Sequence, residues 1–118
     1  MTVRIVAVDP VPEELFELAD SIRNVHKGAT VESFADPLAA VKYAYQNQVD
    51  ALYTVTAMKR LSGFELGKLL RARSPGIQLN FIGEDENEKI DAMRILANSY
   101  IIKPVTADAL RLAEAADW

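Results

Sequence analysis

The chain has 118 residues, a net charge of −4, an apolar fraction of 50% and no cysteine. This length predicts one domain with a closed core, and the absence of cysteine excludes a disulfide framework, a thiolate nucleophile and a cysteine-based metal site. The 13 basic residues form no dense cluster, which argues against direct nucleic-acid binding, and no apolar run approaches the ~20 residues of a membrane span. Residues 1–10 lack a signal-peptide cleavage site, so we expect a cytoplasmic protein with no membrane association.

The first half of the chain alternates strand and helix patterns. Residues 3–8 form an apolar, β-branched run that is typical of a strand buried on both faces, and residues 30–34 predict a second, weaker strand. Pro12 opens a first helix, and Asp36 caps a second helix that begins at Pro37. The predicted buried positions are Leu15, Leu18, Ala19, Ile22 and Val25 in the first helix, and Leu38, Val41, Ala44 and Tyr45 in the second.

The second half continues the alternation. Ser62 and Glu65 have the spacing of a capping box at the start of a third helix, and Thr106 caps the fifth. Three further strands are predicted at residues 51–55, 77–82 and 100–102. The predicted apolar positions of the last three helices are Phe64, Leu66, Leu69 and Leu70, then Ile90, Met93 and Leu96, then Ala109, Leu110 and Ala113.

Five strands alternating with five helices predict βαβ crossovers, and therefore an α/β domain with a parallel sheet and helices on both faces. Ligands of such sheets lie at the carboxyl ends of the strands. The candidate functional edge consists of the loops after Val8, Val55, Ile82 and Ile102.

Three stretches near this edge carry a resemblance: S-F-A-D-P-L-A-A-V, L-S-G-F-E-L-G-K-L-L-R and Y-I-I-K-P-V. They resemble the receiver domain of bacterial response regulators, over the whole chain (1–118) and without a large gap. The resemblance implies a single doubly wound (βα)5 domain of the CheY-like, flavodoxin-like type with strand order 2-1-3-4-5, acting in a two-component phosphorelay system. The first and last stretches also resemble receivers that precede LytTR-type DNA-binding domains.

The resemblance implies a phosphorylation site with two acids after strand one, an acceptor aspartate ending strand three, a hydroxyl residue after strand four and a lysine after strand five. Asp9 and Lys103 match this pattern. The other three positions hold Pro10, Val55 and Gly83. Valine cannot form an acyl phosphate, and one remaining acid makes a poor magnesium site. We therefore expect a degenerate pseudo-receiver with no catalytic residue, metal or cofactor.

An ion pair between Asp9 and Lys103 is predicted at this degenerate site, with Asp9 as the only close partner of the lysine. Asp9 has a second open interpretation, as a cap of the loop after strand one. Glu84 and Asp85 either lean toward the site or form a solvated helix start. Thr54 and Thr56 flank Val55, so a conventional receiver that uses an atypical acceptor stays an alternative.

The leading hypothesis is a non-enzymatic signalling module that contacts a protein partner, an output domain or a second copy of itself. The resemblance implies that contact runs through helix 4, strand 5 and helix 5. Tyr100 matches an aromatic residue that changes rotamer on activation of receivers; the alternative is a half-buried sheet residue. The residues assigned to this switch and partner face are Tyr100, Ile90, Met93, Arg94 and Pro104.

Other functional interpretations are weaker. A flavodoxin-like cofactor protein needs a loop after strand one that is rich in Ser, Thr or Gly, whereas residues 9–14 are acidic and contain two prolines. Lys59 replaces a proline common in receivers, and with Arg60 it either binds an anion or forms a solvated loop. His26 has no set of neighbouring ligands in the sequence, so we expect no metal role for it.

Overall fold

The computed structural model describes residues 2–116, so the ends of the predicted 1–118 domain, including Trp118, lie outside the described residues. Within this range strands and helices alternate as the sequence predicts. The strands are β1 (Arg4–Val8), β2 (Thr30–Phe34), β3 (Ala51–Val55), β4 (Gln78–Gly83) and β5 (Ser99–Ile102). The helices are α1 (Pro12–Val25), α2 (Pro37–Gln46), α3 (Gly63–Arg73), α4 (Lys89–Arg94) and α5 (Ala107–Ala115).

The five strands form one parallel sheet in the order β2-β1-β3-β4-β5, which confirms the predicted doubly wound α/β fold and strand order. Val8 pairs with Thr54, and Val55 pairs with Ile82, so β1, β3 and β4 end at nearly the same level. In the sheet β1 lies between β2 and β3, so the connection after β1 crosses to one side of it and the connection after β2 returns to the other side. The loops after β1 and β3 therefore diverge and leave a crevice at this edge. Among the described residues, no helix is both long and apolar enough to cross a membrane.

Apolar side chains project from both faces of the sheet. In β1, Ile5 and Ala7 pack with Leu18 of α1 and Leu110 of α5, whereas the intervening residues pack toward α2, α3 and α4. This alternation with a period of two places a core on each face. Burial on both faces explains why the central strands consist almost entirely of apolar residues.

Strand boundaries agree with the prediction to within one residue, but two predicted buried positions of α2 are wrong. Helix α2 buries small residues, Pro37, Ala40 and Ala44, because they let its backbone lie close to the sheet. Helix α4 has only six residues and buries Ala92 alone, so the larger apolar residues around it face outward. The predicted buried residues Leu38 and Tyr45 of α2 are exposed instead. Leu69, Ile90, Met93 and Leu96, which were predicted only as apolar helix positions, are exposed as well.

The start of α3 is fixed to the end of β3. The predicted capping box is confirmed, because the amide of Glu65 donates to Ser62 Oγ and the amide of Ser62 donates to Glu65 Oε1. The amide of Gly63 donates to the carbonyl of Thr56 at 2.8 Å. A Cβ atom at Gly63 would overlap the carbonyl oxygen of Val55, so glycine permits this close approach.

Replacement of Gly63 by alanine is therefore expected to force α3 away from the end of β3 and to lower the free energy of unfolding by about 1–3 kcal/mol. Gly76→Ala is the matched control, because no atom lies within 4 Å of a Cβ at that position. The control should change stability by less than about 0.5 kcal/mol. Urea unfolding measures both variants, and equal losses would contradict the close-approach argument.

Candidate functional site

The carboxyl ends of β1, β3, β4 and β5 surround an open crevice of about 420 Å³. The predicted site residues enter it from four strand ends, with Asp9 and Pro10 in the same loop, because parallel strands all finish at this edge of the sheet. The structure brings the whole predicted set together along the walls of this crevice: Asp9, Pro10, Val55, Gly83 and Lys103.

The ammonium group of Lys103 is the centre of a small ionic cluster. Its Nζ lies 3.3 Å from Asp9 Oδ2, which confirms the predicted ion pair. The prediction that Asp9 is its only close partner is wrong, since Nζ also donates to Glu14 Oε1 at 2.7 Å and lies 3.7 Å from Glu84 Oε1. Three carboxylates therefore share one buried cation.

Glu14 is a site residue that the sequence analysis missed. It lies in the first turn of α1, where acidic residues are ordinarily explained by the helix dipole. Because α1 begins at the functional edge, a side chain in its first turn can reach back into the crevice. Glu84 was expected either to lean toward the site or to be solvated, and it does both. Its side chain is 80% exposed and still lies within ion-pair distance of Lys103.

Burial sets the energetic balance of this cluster. The side chain of Asp9 is 3% exposed and that of Lys103 is 14% exposed. Burial by itself lowers the pKa of Lys103, but the hydrogen bond to Glu14 and the charge of Asp9 outweigh it and leave that pKa above its ordinary value. Asp9 also accepts a hydrogen bond from the amide of Val11 at 2.9 Å, so it caps its loop as well as pairing with the lysine.

Val55 presents a hydrocarbon at the end of β3. Its side chain is buried and packs in the core cluster that includes Tyr53 and Ile82. The two neighbouring hydroxyl groups are already engaged, since Thr54 Oγ1 donates to the carbonyl of Val55 at 2.9 Å and Thr56 Oγ1 donates to Glu88 Oε1 at 2.5 Å. The second bond joins the end of β3 to the residue before α4.

Gly83 makes room for the Tyr100 side chain. A Cβ atom at Gly83 would overlap the tyrosine hydroxyl, which donates a 2.6 Å hydrogen bond to the carbonyl of Asp85. Burial, followed by the charges of Glu88 and Asp85, raises the pKa of Tyr100, so the hydroxyl keeps its proton and remains a donor. The half-buried ring therefore holds the β4–α4 loop against the end of the sheet.

The crevice lies where receivers bind a magnesium ion, and its oxygen ligands decide whether such an ion fits here. Magnesium requires several oxygen ligands in near-octahedral geometry. Here the ammonium group of Lys103 already pairs with Asp9 and Glu14, and Glu88 accepts a hydrogen bond from Thr56. Among residues 2–116 no group of three or more His, Cys, Asp or Glu side chains has the arrangement of a metal site. These donors do not fit a magnesium ion.

The predicted partner face lies to one side of the crevice, along α4, β5 and the loop that follows. Ile90 and Met93 are exposed, as is Arg94, whose guanidinium is 3.9 Å from Asp91. Ile102 of β5 adds a further partly exposed apolar side chain. The predicted face is thus accessible and presents several large apolar side chains to solvent.

His26 lies far from the crevice, at the end of α1. Its Nε2 is 2.6 Å from Glu114 Oε1 and 3.1 Å from the hydroxyl of Tyr53. This contact joins α1 to α5 and to β3. Its two polar neighbours, one on α5 and one on β3, therefore belong to a structural contact.

The parallel sheet and a lysine facing acids at its carboxyl edge define a signalling domain of the receiver class. Residues 5–114 match the response regulator receiver domain family, so the chain belongs to this family. A comparison with curated protein sequences gives no match.

Solved receiver structures share the fold at low sequence identity. The chemotaxis response regulator CheY4 of Vibrio cholerae aligns with a TM-score of 0.80 and 19% identity, over 95% of each chain. The receiver domain of the sensor histidine kinase PA1611 of Pseudomonas aeruginosa, with magnesium coordinated in its active-site cleft, gives 0.77 and 20%, over 95% of this chain and 93% of that one. The response regulator DrrB of Thermotoga maritima gives 0.79 and 15%, over 93% of this chain and 49% of that one.

Removal of the central cation should destabilise the protein and change its response to alkaline pH. Because the folded-state pKa of Lys103 is raised, its stabilising contribution is complete below the unfolded-state pKa of about 10.4 and disappears as pH rises through the folded-state value. Lys103→Met should lose about 2–4 kcal/mol of unfolding free energy near neutral pH, since it leaves Asp9 buried without its cation.

The measurement is urea unfolding at pH values from about 7 to about 11. The difference in stability between the native protein and Lys103→Met should shrink toward the alkaline end. Lys42→Met, at an exposed position of α2, serves as the control and should follow the native protein throughout. A difference between native and Lys103→Met that stays constant over this pH range would contradict the proposed charge balance.

Proposed function

We propose that this receiver domain is a pseudo-receiver that signals through protein contacts, without phosphorylation and without enzymatic activity. The observation that carries the proposal is Val55. We take Val55 as the counterpart of the acceptor aspartate, as the resemblance of the sequence to receivers implies. Val55 ends β3, and its buried side chain has no oxygen atom. An acyl phosphate cannot form there.

The charge arrangement around Lys103 supports the same proposal. In receivers this lysine holds the phosphoryl oxygens, whereas here it is engaged by the carboxylates of Asp9 and Glu14. A phosphoryl group arriving in the crevice would face these acids and Glu88 without a metal ion to offset the repulsion. The carboxylates of the crevice are suited to bind the ammonium group of Lys103.

The exposed apolar side chains around α4 and β5 support this face as the contact surface. Ile90 and Met93 are large apolar residues that a protein partner would remove from water. The partner is an output domain, another protein or a second copy of the chain. The structure of DrrB, named as an OmpR/PhoB homologue, is about twice as long as the region that aligns with this chain, which supports an output domain. The resemblance to receivers ahead of LytTR-type domains is consistent with this, and with a cytoplasmic location.

Incubation with acetyl phosphate and Mg²⁺, followed by intact-mass measurement, tests the absence of phosphorylation. We expect no mass gain in the native chain, because Val55 has no nucleophilic oxygen and the hydroxyl groups of Thr54 and Thr56 are engaged within the protein. The double variant Pro10→Asp/Val55→Asp restores both missing carboxylates and is expected to gain one phosphoryl group.

A gain of one phosphoryl group by the native chain would contradict the proposal. If a Thr56→Val variant then lost that gain, the acceptor would be located at Thr56 and the domain would be a receiver with an atypical acceptor. The parallel measurement on the double variant verifies that the donor reaches the crevice.

A further inference from the structure

A second concave surface lies beside the crevice, between the loops that follow β1, β2 and β3. We call it the basic-rimmed groove. It has a volume of about 570 Å³. We call its apolar lining residues Pro10, Pro37, Ala57 and Met58 the floor and its two cations, Lys59 and Arg60, the rim; Ala35 and Asp36 complete the lining. It faces the β2 half of the sheet, whereas the α4–β5 partner face lies at the opposite half.

We propose that the basic-rimmed groove binds a short acidic segment of a partner protein that inserts an apolar side chain. The floor consists of proline, alanine and methionine, which favour an apolar anchor, and methionine adapts to the shape of what it contacts. Lys59 and Arg60 are adjacent cations in a chain whose net charge is −4. The charge of the rim therefore complements carboxylates on either side of an anchor residue.

The rim cations are available to a partner. The guanidinium of Arg60 lies 3.9 Å from Asp36 Oδ2, and the two side chains are 70% and 50% exposed. Such an exposed pair stabilises the free protein little, so a carboxylate of the partner can replace Asp36 at small energetic cost. Lys59 is exposed and makes no ion pair with any residue from 2 to 116.

The backbone of the rim is held in an uncommon conformation. Arg60 has φ = 71°, in the left-handed region that side chains other than glycine seldom adopt. The loop stays in place because the amide of Leu61 donates to the carbonyl of Lys59 at 2.8 Å and the capping box of α3 follows directly. Strain of this kind is concentrated at binding sites, where it fixes the direction of a side chain.

Nucleotides and free phosphate fit this groove less well than a peptide does. The nearest helix end, that of α2, begins with Pro37, which has no amide hydrogen, and its next amide, that of Leu38, already donates to Asp36 at 3.0 Å. Among the lining residues, none offers an aromatic ring on which a base could stack.

The groove is continuous with the crevice, since Pro10 and Ala57 line both. A carboxylate at position 10, where receivers keep their second acid, would project negative charge toward the groove. Proline removes that repulsion. In this respect the groove proposal rests on the proposed contact-only function, because a site that retained both acids and a metal would not leave this wall apolar.

The probe is a short fluorescein-labelled peptide with a central Leu-Phe pair and Glu on both sides; its counterpart with Gln in place of Glu is the control. Titration into ¹⁵N-labelled protein should give saturable amide shifts at residues 35, 36 and 57–60. Lys59→Glu/Arg60→Glu should weaken binding about tenfold, as measured by fluorescence anisotropy. Lys42→Glu, an exposed reversal outside the groove, should leave the affinity unchanged, and added salt should weaken the native complex.

Lys59→Glu alone is the second variant, since it leaves the left-handed Arg60 in place, and a threefold loss is expected from it. Absence of saturable shifts, equal binding of the Gln peptide or an equal effect of Lys42→Glu would overturn the proposal. Binding of a nucleoside diphosphate at the same residues without the peptide would also overturn it. If the peptide instead shifts only the amide signals of α4 and β5, the groove proposal fails while the proposed function stands. Phosphorylation of the native chain in the acetyl phosphate experiment would instead show that the proposed function fails.

Discussion

The organisation of the functional edge depends on one interaction, the enclosure of the Lys103 ammonium group by Asp9 and Glu14. These three residues come from the loop after β5, the end of β1 and the first turn of α1, so the contact joins segments that lie almost a whole chain apart. A buried carboxylate is tolerated only if its charge is compensated. Lys103 supplies that compensation for Asp9, and the same contact joins the loops after β1 and β5 to the first turn of α1.

The fold could be predicted because the signals that determine it are local. Apolar runs bounded by turns locate the strands to within a residue, and Asp36, Ser62 and Thr106 mark helix starts that the structure confirms. The exposed side chains of α2 could not be predicted, because period alone does not specify which face of a short helix meets the sheet. In α2 the small residues Ala40 and Ala44 determine that face.

The candidate site was predictable in its membership and less so in its contacts. The five predicted positions follow from the resemblance to receivers, and all five line the crevice because parallel strands end at the same edge of the sheet. The engagement of Glu14 by Lys103, of Glu88 by Thr56 and of Tyr100 over Gly83 depends on side-chain reach across loops. The signal that could have identified Glu14 is its place in the first turn of a helix that starts at the functional edge. The edge thus has an acidic half that surrounds a lysine and a half with an apolar floor and a basic rim.

The central claim is that Lys103 already engages Asp9 and Glu14, the carboxylates of the crevice that a metal ion would need. Its most direct test is a titration of ¹⁵N-labelled protein with MgCl₂ while the amide signals of Asp9, Val55 and Lys103 are followed. The account predicts small, linear shifts that do not saturate, because the carboxylates of the crevice are already paired. Saturable shifts of these three amides at millimolar Mg²⁺, absent from an Asp9→Asn variant, would contradict it.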